Sequence, residues 1–286
     1  MVADFFTKNL DVVFMVYGLS FVVMGVAILA QPRRESAFRL SDVIWILAGF
    51  GLTHGLNEWL DMFNLIAINK YLHGAYALGL VRLAVLSVSY VFLFEFGRRL
   101  ISFRLRRFSG KWAITAFLCF VVMALMIFIK QERSVWPRYF LGFPGGVFAA
   151  LGFIWYYYDN ETILKPIRAR FYFITAAVSL CIYGVLGGVV VPKTDFFPAS
   201  IVNTDSFLKL FGIPVQVFRA ICATMLAWAV CNVLNIFNWE IRDNLKKSLV
   251  DITVAKNYVD NILKSMIGSV IVVGMDKKIK TINPAT

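Results

Sequence analysis

Thr53-His54-Gly55-Leu56-Asn57-Glu58-Trp59-Leu60-Asp61 lies inside the apolar run from Val43 to Phe63, and the reading of this stretch decides the fold. At 3.6 residues per turn, His54, Asn57, Glu58 and Asp61 fall at i, i+3, i+4 and i+7 and share one helical face, while Leu56 and Trp59 point elsewhere. A polar stripe on an apolar rod must face protein rather than lipid. An intramembrane His/Glu/Asp face therefore marks a functional site by default; the plainer alternative is that Glu58 and Asp61 sit at the outer interface and cap the bundle.

The rest of the chain supports a membrane setting. Its 286 residues are 59% hydrophobic and 16% charged, with a mean hydropathy of +0.72, which lies outside the range of soluble domains. Apolar runs long enough to cross the hydrocarbon layer predict an all-α membrane protein of seven helices. These run from about Val12 to Ala30, Val43 to Phe63, Tyr76 to Phe96, Trp112 to Ile129, Tyr139 to Tyr157, Phe171 to Val191 and Val215 to Phe237. The first is expected to be a retained helix, because its flank carries Lys8 against Asp4 and no A-x-A site precedes Gln31. Pro144-Gly145-Gly146 is expected to kink the fifth helix, and Gly184, Gly187 and Gly188 to allow close helix approach in the sixth. The connection Pro192 to Pro214, with Phe196, Phe197, Phe207, Leu208 and Phe211, is expected to lie on the membrane surface or lid the bundle.

A net charge of +12 could suggest nucleic acid, but the basic residues gather in the connections. There they read as topology determinants and anionic-lipid contacts. Arg33, Arg34 and Arg39, then Arg98 to Lys111, then Lys165, Arg168 and Arg170 make the odd connections basic; the even ones carry Lys70, then Lys130, Arg133 and Arg138, then Lys193 and Lys209. This places the N-terminus outside, the C-terminus in the cytoplasm, and His54 to Asp61, His73, Arg82 and Arg219 in the extracytoplasmic half. Cys119, Cys181, Cys222 and Cys231 fall in apolar runs without C-x-x-C spacing and read as packing residues.

Within the outer half, Arg82 is the counter-charge for Glu58 or Asp61, with a Glu58–Arg82 couple expected. Alternatively Arg82 and Arg219 together leave a positive face suited to an anionic ligand. His54 and His73 invite a bis-histidine haem or a metal site, although their difference in depth argues against haem with both ligands on helices. Otherwise His54 hydrogen-bonds within the polar face as a group suited to pH sensing. Asn232, Asn235 and Asn238 are expected to hydrogen-bond between helices or to take part in coupling. No nucleophile elbow, phosphate loop or paired acids on a soluble scaffold are present, so no catalytic residues are assigned.

From Trp239 the chain turns polar. Leu245, Leu249, Ile252, Val259, Leu263 and Met266 follow steps of four and three, with Lys256 at the remaining position, which predicts a helix over 239–266 that pairs as a parallel homodimer, the alternative being an amphipathic helix packed on its own protein. Val270-Ile271-Val272-Val273, an Asp276 turn, then Ile279 and Ile282-Asn283-Pro284-Ala285 resemble the opening of a PAS domain, departing from that family at Lys277, where a turn glycine is usual. The resemblance implies that 267–286 begin a PAS domain in which the chain ends. Residues 1–238, with Gly51-Leu52-Thr53-His54-Gly55-Leu56-Asn57-Glu58-Trp59, are similar in layout to the seven-helix sensory regions that precede PAS and histidine kinase or diguanylate cyclase domains. This likeness implies the input module of a two-component or cyclase signalling protein of the bacterial inner membrane, with its output domain in the same chain. The alternative is a membrane redox protein binding haem, or a transporter, in which His54, Glu58 and Arg82 form a relay and the PAS tail is regulatory.

Overall fold

The computed structural model describes residues 2–31, 36, 38–69, 75–105, 108, 112–129, 132–265, 267–268 and 270–282. They form two compact units, Met1–Phe237 and Asn238–Thr286. The first contains α1 (Val2–Lys8), α2 (Leu10–Ala30), a 3-10 turn (Arg39–Asp42), α3 (Ile44–Asn69), α4 (Ala75–Ser102), α5 (Ala113–Phe128) and α6 (Val135–Pro137). A π-helical turn (Arg138–Gly142) leads into α7 (Phe143–Asp159), followed by α8 (Glu161–Leu164), α9 (Arg170–Gly188), α10 (Thr204–Phe211) and α11 (Val215–Val233). The chain then enters α12 (Asn235–Ser265).

Among the described residues, five helical segments are long and apolar enough to cross a membrane: Leu10–Ala30, Ala77–Ser102, Val135–Asp159, Arg170–Gly188 and the helix that begins at Val215. The remaining two expected spans each meet one requirement. With 26 residues, α3 has the length, but its polar stripe lowers its apolarity; α5 is apolar throughout but has only 16 residues.

Packing closes a ring in the order α2, α3, α4, α7, α9, α11 and back to α2. Short connections make α2, α3 and α4 sequential neighbours, whereas the α2–α11 contact joins the two ends of the unit. Tyr17, Phe21, Phe50, Tyr90, Phe153, Phe173 and Tyr183 are buried, while Phe117, Phe120 and Phe128 of α5 are exposed, as expected of side chains that meet lipid tails. Lying outside the ring, α5 is tied to it by a polar anchor. Glu95 of α4 is fully buried and accepts hydrogen bonds from Arg98 Nε at 2.8 Å, Arg98 Nη2 at 2.7 Å, Arg99 Nε at 2.5 Å and Thr115 Oγ1 of α5 at 2.5 Å. Arg98 Nη1 also donates to the carbonyl of Phe108 in the α4–α5 connection.

The expected kink at Pro144-Gly145-Gly146 is displaced. Irregularity falls one turn earlier, in the π turn, because Pro144 has no N–H to donate and its ring would collide with the Phe140 carbonyl in a regular helix. The glycines serve packing instead: a Cβ on Gly146 would stand 2.7 Å from Gly184 Cα, and one on Gly188 would stand 2.6 Å from Phe143 N. This is the small-residue contact that lets membrane helices approach backbone to backbone.

The connection after α9 folds onto the ring. Val191 and Ala199 bury against Val135, and Phe196 stacks on Trp136 at 5.1 Å. Asn203 caps α10, its Oδ1 accepting from the backbone of Asp205 at 3.1 Å and Ser206 at 2.9 Å. Gly212, with φ of 68°, ends the helix in the left-handed conformation glycine favours. Phe207 and Phe211 pack on Phe218 of α11. The expectation for Asn232 needs correction: its side-chain amide donates to Trp228 O at 2.8 Å within its own helix, not across to a neighbour.

In the second unit Leu245, Leu249, Ile252 and Val259 are all exposed along α12. Beyond it, β1 (Ile271–Val273) and β2 (Ile279–Ile282) pair antiparallel as a hairpin. Its turn places Lys277 at φ of 59°, the backbone conformation for which a glycine would be the ordinary choice. Met266 and Asn283-Pro284-Ala285 lie outside the described residues.

Candidate functional site

The stripe read from the sequence faces the interior of the ring. His54, Asn57 and Glu58 are 1%, 1% and 4% exposed, while Trp59 turns away and donates to Met15 O of α2 at 3.2 Å. Around the imidazole, Phe50 stacks at 5.0 Å and Phe21 presents its edge at 5.1 Å. His54 Nδ1 is 2.8 Å from Ser89 Oγ of α4, and the same hydroxyl is 2.7 Å from Leu86 O. With one proton for two contacts, Ser89 donates to Leu86 O when the imidazole proton is on Nδ1 and to Nδ1 when it is on Nε2. The Tyr183 hydroxyl of α9 reaches Nε2 and is itself 2.9 Å from the Tyr17 hydroxyl of α2.

Glu58 Oε1 also lies 3.3 Å from His54 Nε2. The contacts form a chain running Ser89, His54, Tyr183, Tyr17 across α4, α3, α9 and α2. Buried chains of this kind polarise one another and tolerate a missing member poorly.

One turn further along α3, the pairing differs from the expected one. Arg82 Nη1 meets Asp61 Oδ1 at 2.9 Å, while Glu58 is held by His54 and by Asn57 Nδ2 at 3.1 Å. Depth decides this: Arg82 lies near the start of α4, level with the far end of the stripe, so its guanidinium reaches the last carboxylate. A double-mutant cycle of Asp61→Asn with Arg82→Met, read as thermal stability in detergent, should give a coupling of about 1 kcal/mol, as befits a partly exposed pair. The same cycle with Glu58→Gln and Arg82→Met should be additive within about 0.5 kcal/mol. A large Glu58–Arg82 coupling would contradict this geometry.

Arg219 of α11 turns its guanidinium to the end of α9. Its Nε and Nη2 donate to Leu186 O at 2.9 and 2.7 Å, and Nη2 donates to Val190 O at 2.6 Å. It thereby satisfies carbonyls that the end of a helix leaves without intrahelical partners. The positive face expected from Arg82 and Arg219 is accordingly not formed by those two. Arg138, which was not singled out in the sequence, takes the unpaired place: Nη1 donates to Gly187 O at 2.9 Å and approaches Tyr90 OH at 3.4 Å, and Nε is buried without a hydrogen-bond partner. Tyr17, Ser89, Tyr90 and Tyr183 were missed as well. Spans rich in tyrosine give no signal of which hydroxyls converge.

His73 lies outside the described residues. For haem, His54 would have to offer a free ring nitrogen, and both are engaged, by Ser89 and by Tyr183 with Glu58. Its surroundings therefore do not fit an axial ligand. Among the described residues no group of three or more His, Cys, Asp or Glu side chains is placed to hold a metal ion. The four cysteines are free thiols. Comparison with protein-family models, with curated proteins and with solved structures returns no match.

Proposed function

We propose that the chain is the membrane input module of a bacterial signal-transduction protein. In this reading seven helices cross the inner membrane with the N-terminus outside, α12 pairs two copies, and residues 267–286 open a PAS domain leading to a kinase or cyclase domain. The observation that carries it is the buried cluster of His54, Glu58, Ser89, Tyr183 and Tyr17, which joins α2, α3, α4 and α9 through side chains that meet one another at hydrogen-bonding distance. A cue that replaces one of these contacts favours one arrangement of the ring over another, which is what signalling requires. Arg219 of α11 grips the end of α9, and α11 leads along the chain into α12. A rearrangement of α9 would thus reach the helix that leaves the membrane.

Cysteine cross-linking in membranes tests the proposal. With the four native cysteines replaced by alanine, Leu249→Cys and Ile252→Cys should cross-link between copies, and Lys247→Cys on the opposite face should not. Introducing Tyr183→Phe should change the extent of cross-linking at Ile252→Cys several-fold. Absence of cross-links at both seam positions would remove the dimer; an unchanged extent with Tyr183→Phe would remove the coupling.

The unbroken chain of hydroxyls and imidazole favours one second reading, a proton path in a transport or redox protein. Proteoliposomes that carry protons down a pH gradient, and stop doing so with Glu58→Gln, would establish it in place of the first.

A further inference from the structure

At the opposite end of the ring, where α4 and α7 finish and the 3-10 turn begins, a cavity of about 310 Å³ opens between Arg39, Phe103, Arg104, Trp155, Tyr156 and Asp159. Both guanidinium groups lie over aromatic rings, the Cζ of Arg39 4.4 Å from the centre of Phe103 and that of Arg104 5.5 Å from that of Trp155. A cation–π contact of this kind leaves N–H donors of the guanidinium available to a ligand. Among the described residues no carboxylate lies within 4.0 Å of Arg39, and Arg104 has only the exposed Asp159 at 3.5 Å. Among the described residues, two cations against one anion leave the cavity with a net positive charge. Arg98, Arg99, Lys165, Arg168 and Arg170 belong to the same end of the chain's helices, where anionic headgroups gather on the cytoplasmic face in the expected orientation.

We propose that this cavity is a phosphate site, in which a phosphate group is held between the forked donors of Arg39 and Arg104. Planar forks suit bidentate phosphate recognition. The phosphate comes either from an anionic lipid headgroup or from a soluble phosphate. The site is separate from the histidine cluster, so it stands whether or not that cluster is a sensor.

Binding is measured on the full chain, purified and delipidated in detergent, titrated separately with dioleoyl-phosphatidylglycerol, with dioleoyl-phosphatidylcholine and with inorganic phosphate. Tighter binding of phosphatidylglycerol than of phosphatidylcholine identifies the lipid as the source; binding of inorganic phosphate identifies the soluble one. In either case Arg39→Gln with Arg104→Gln should weaken the bound species about tenfold, as expected when charge-assisted hydrogen bonds are lost. Asp159→Asn should tighten it by removing the competing carboxylate, an opposite effect that damage to the fold would not produce. Lys165→Gln, a charge change at the same end but outside the cavity, should leave binding unchanged. Equal losses in Lys165→Gln and the double arginine variant would overturn the proposal, as would a protein that neither prefers phosphatidylglycerol to phosphatidylcholine nor binds inorganic phosphate.

Discussion

Glu95→Gln is expected to lower the stability of the protein in detergent by about 3–5 kcal/mol, the usual effect of removing one side of a buried ion pair. The carboxylate is fully buried among Arg98, Arg99 and Thr115, and Arg98 is itself only 2% exposed. Glutamine leaves that guanidinium without its anion in a place water does not reach. Adding Arg98→Met should recover a large part of the loss, because the cost comes from the stranded charge rather than from the pair's own attraction. The local readout is α5. Since Thr115 anchors this ring-external helix to Glu95, limited proteolysis of Glu95→Gln should cut the α4–α5 connection faster than in the parent protein. A variant as stable as the parent would show that the pair is open to water.

Arg219→Met should cost about 3 kcal/mol, from the loss of charge-assisted hydrogen bonds to Leu186 and Val190 and from the buried carbonyls they leave behind. Lysine should recover less than half, because a point ammonium cannot fork between two carbonyls held apart on a helix end. Thermal unfolding of the three proteins in the same detergent checks the order. If Arg219→Met proved neutral, the role of Arg219 as the cap of α9 would fail, and with it the proposed link from α9 to α11.

These two residues show where the sequence was informative and where it was not. The stripe His54, Asn57, Glu58, Asp61 was legible because spacing along one helix decides what shares a face, and all seven expected apolar runs coincide with helices. Partners across helices are another matter. Tyr17 and Tyr183 are 166 positions apart, and a tyrosine in an apolar span looks the same whether it ends in solvent, lipid or another hydroxyl. Arg82 could be matched to Glu58 or Asp61 only by knowing depth to within one turn. Arg219 looked like a ligand cation because the carbonyls it satisfies are backbone atoms, which sequence does not display. The effect of Pro144-Gly145-Gly146 depended on Gly184 lying opposite, a fact held in a different helix.

The closed ring bears on how the protein is made. Because α2 packs on α11, with Ser20 Oγ 2.9 Å from Thr224 Oγ1, α2 leaves the ribosome well ahead of one of its two neighbours in the ring. Until residues 215–233 enter the bilayer, one flank of α2 faces lipid in place of α11, and the carbonyls at the end of α9 wait for Arg219. Biogenesis of this unit therefore finishes in a single late event that seats α11 between helices synthesised before it. Intermediates short of that event expose polar atoms to lipid, the kind of defect that membrane quality control can act on.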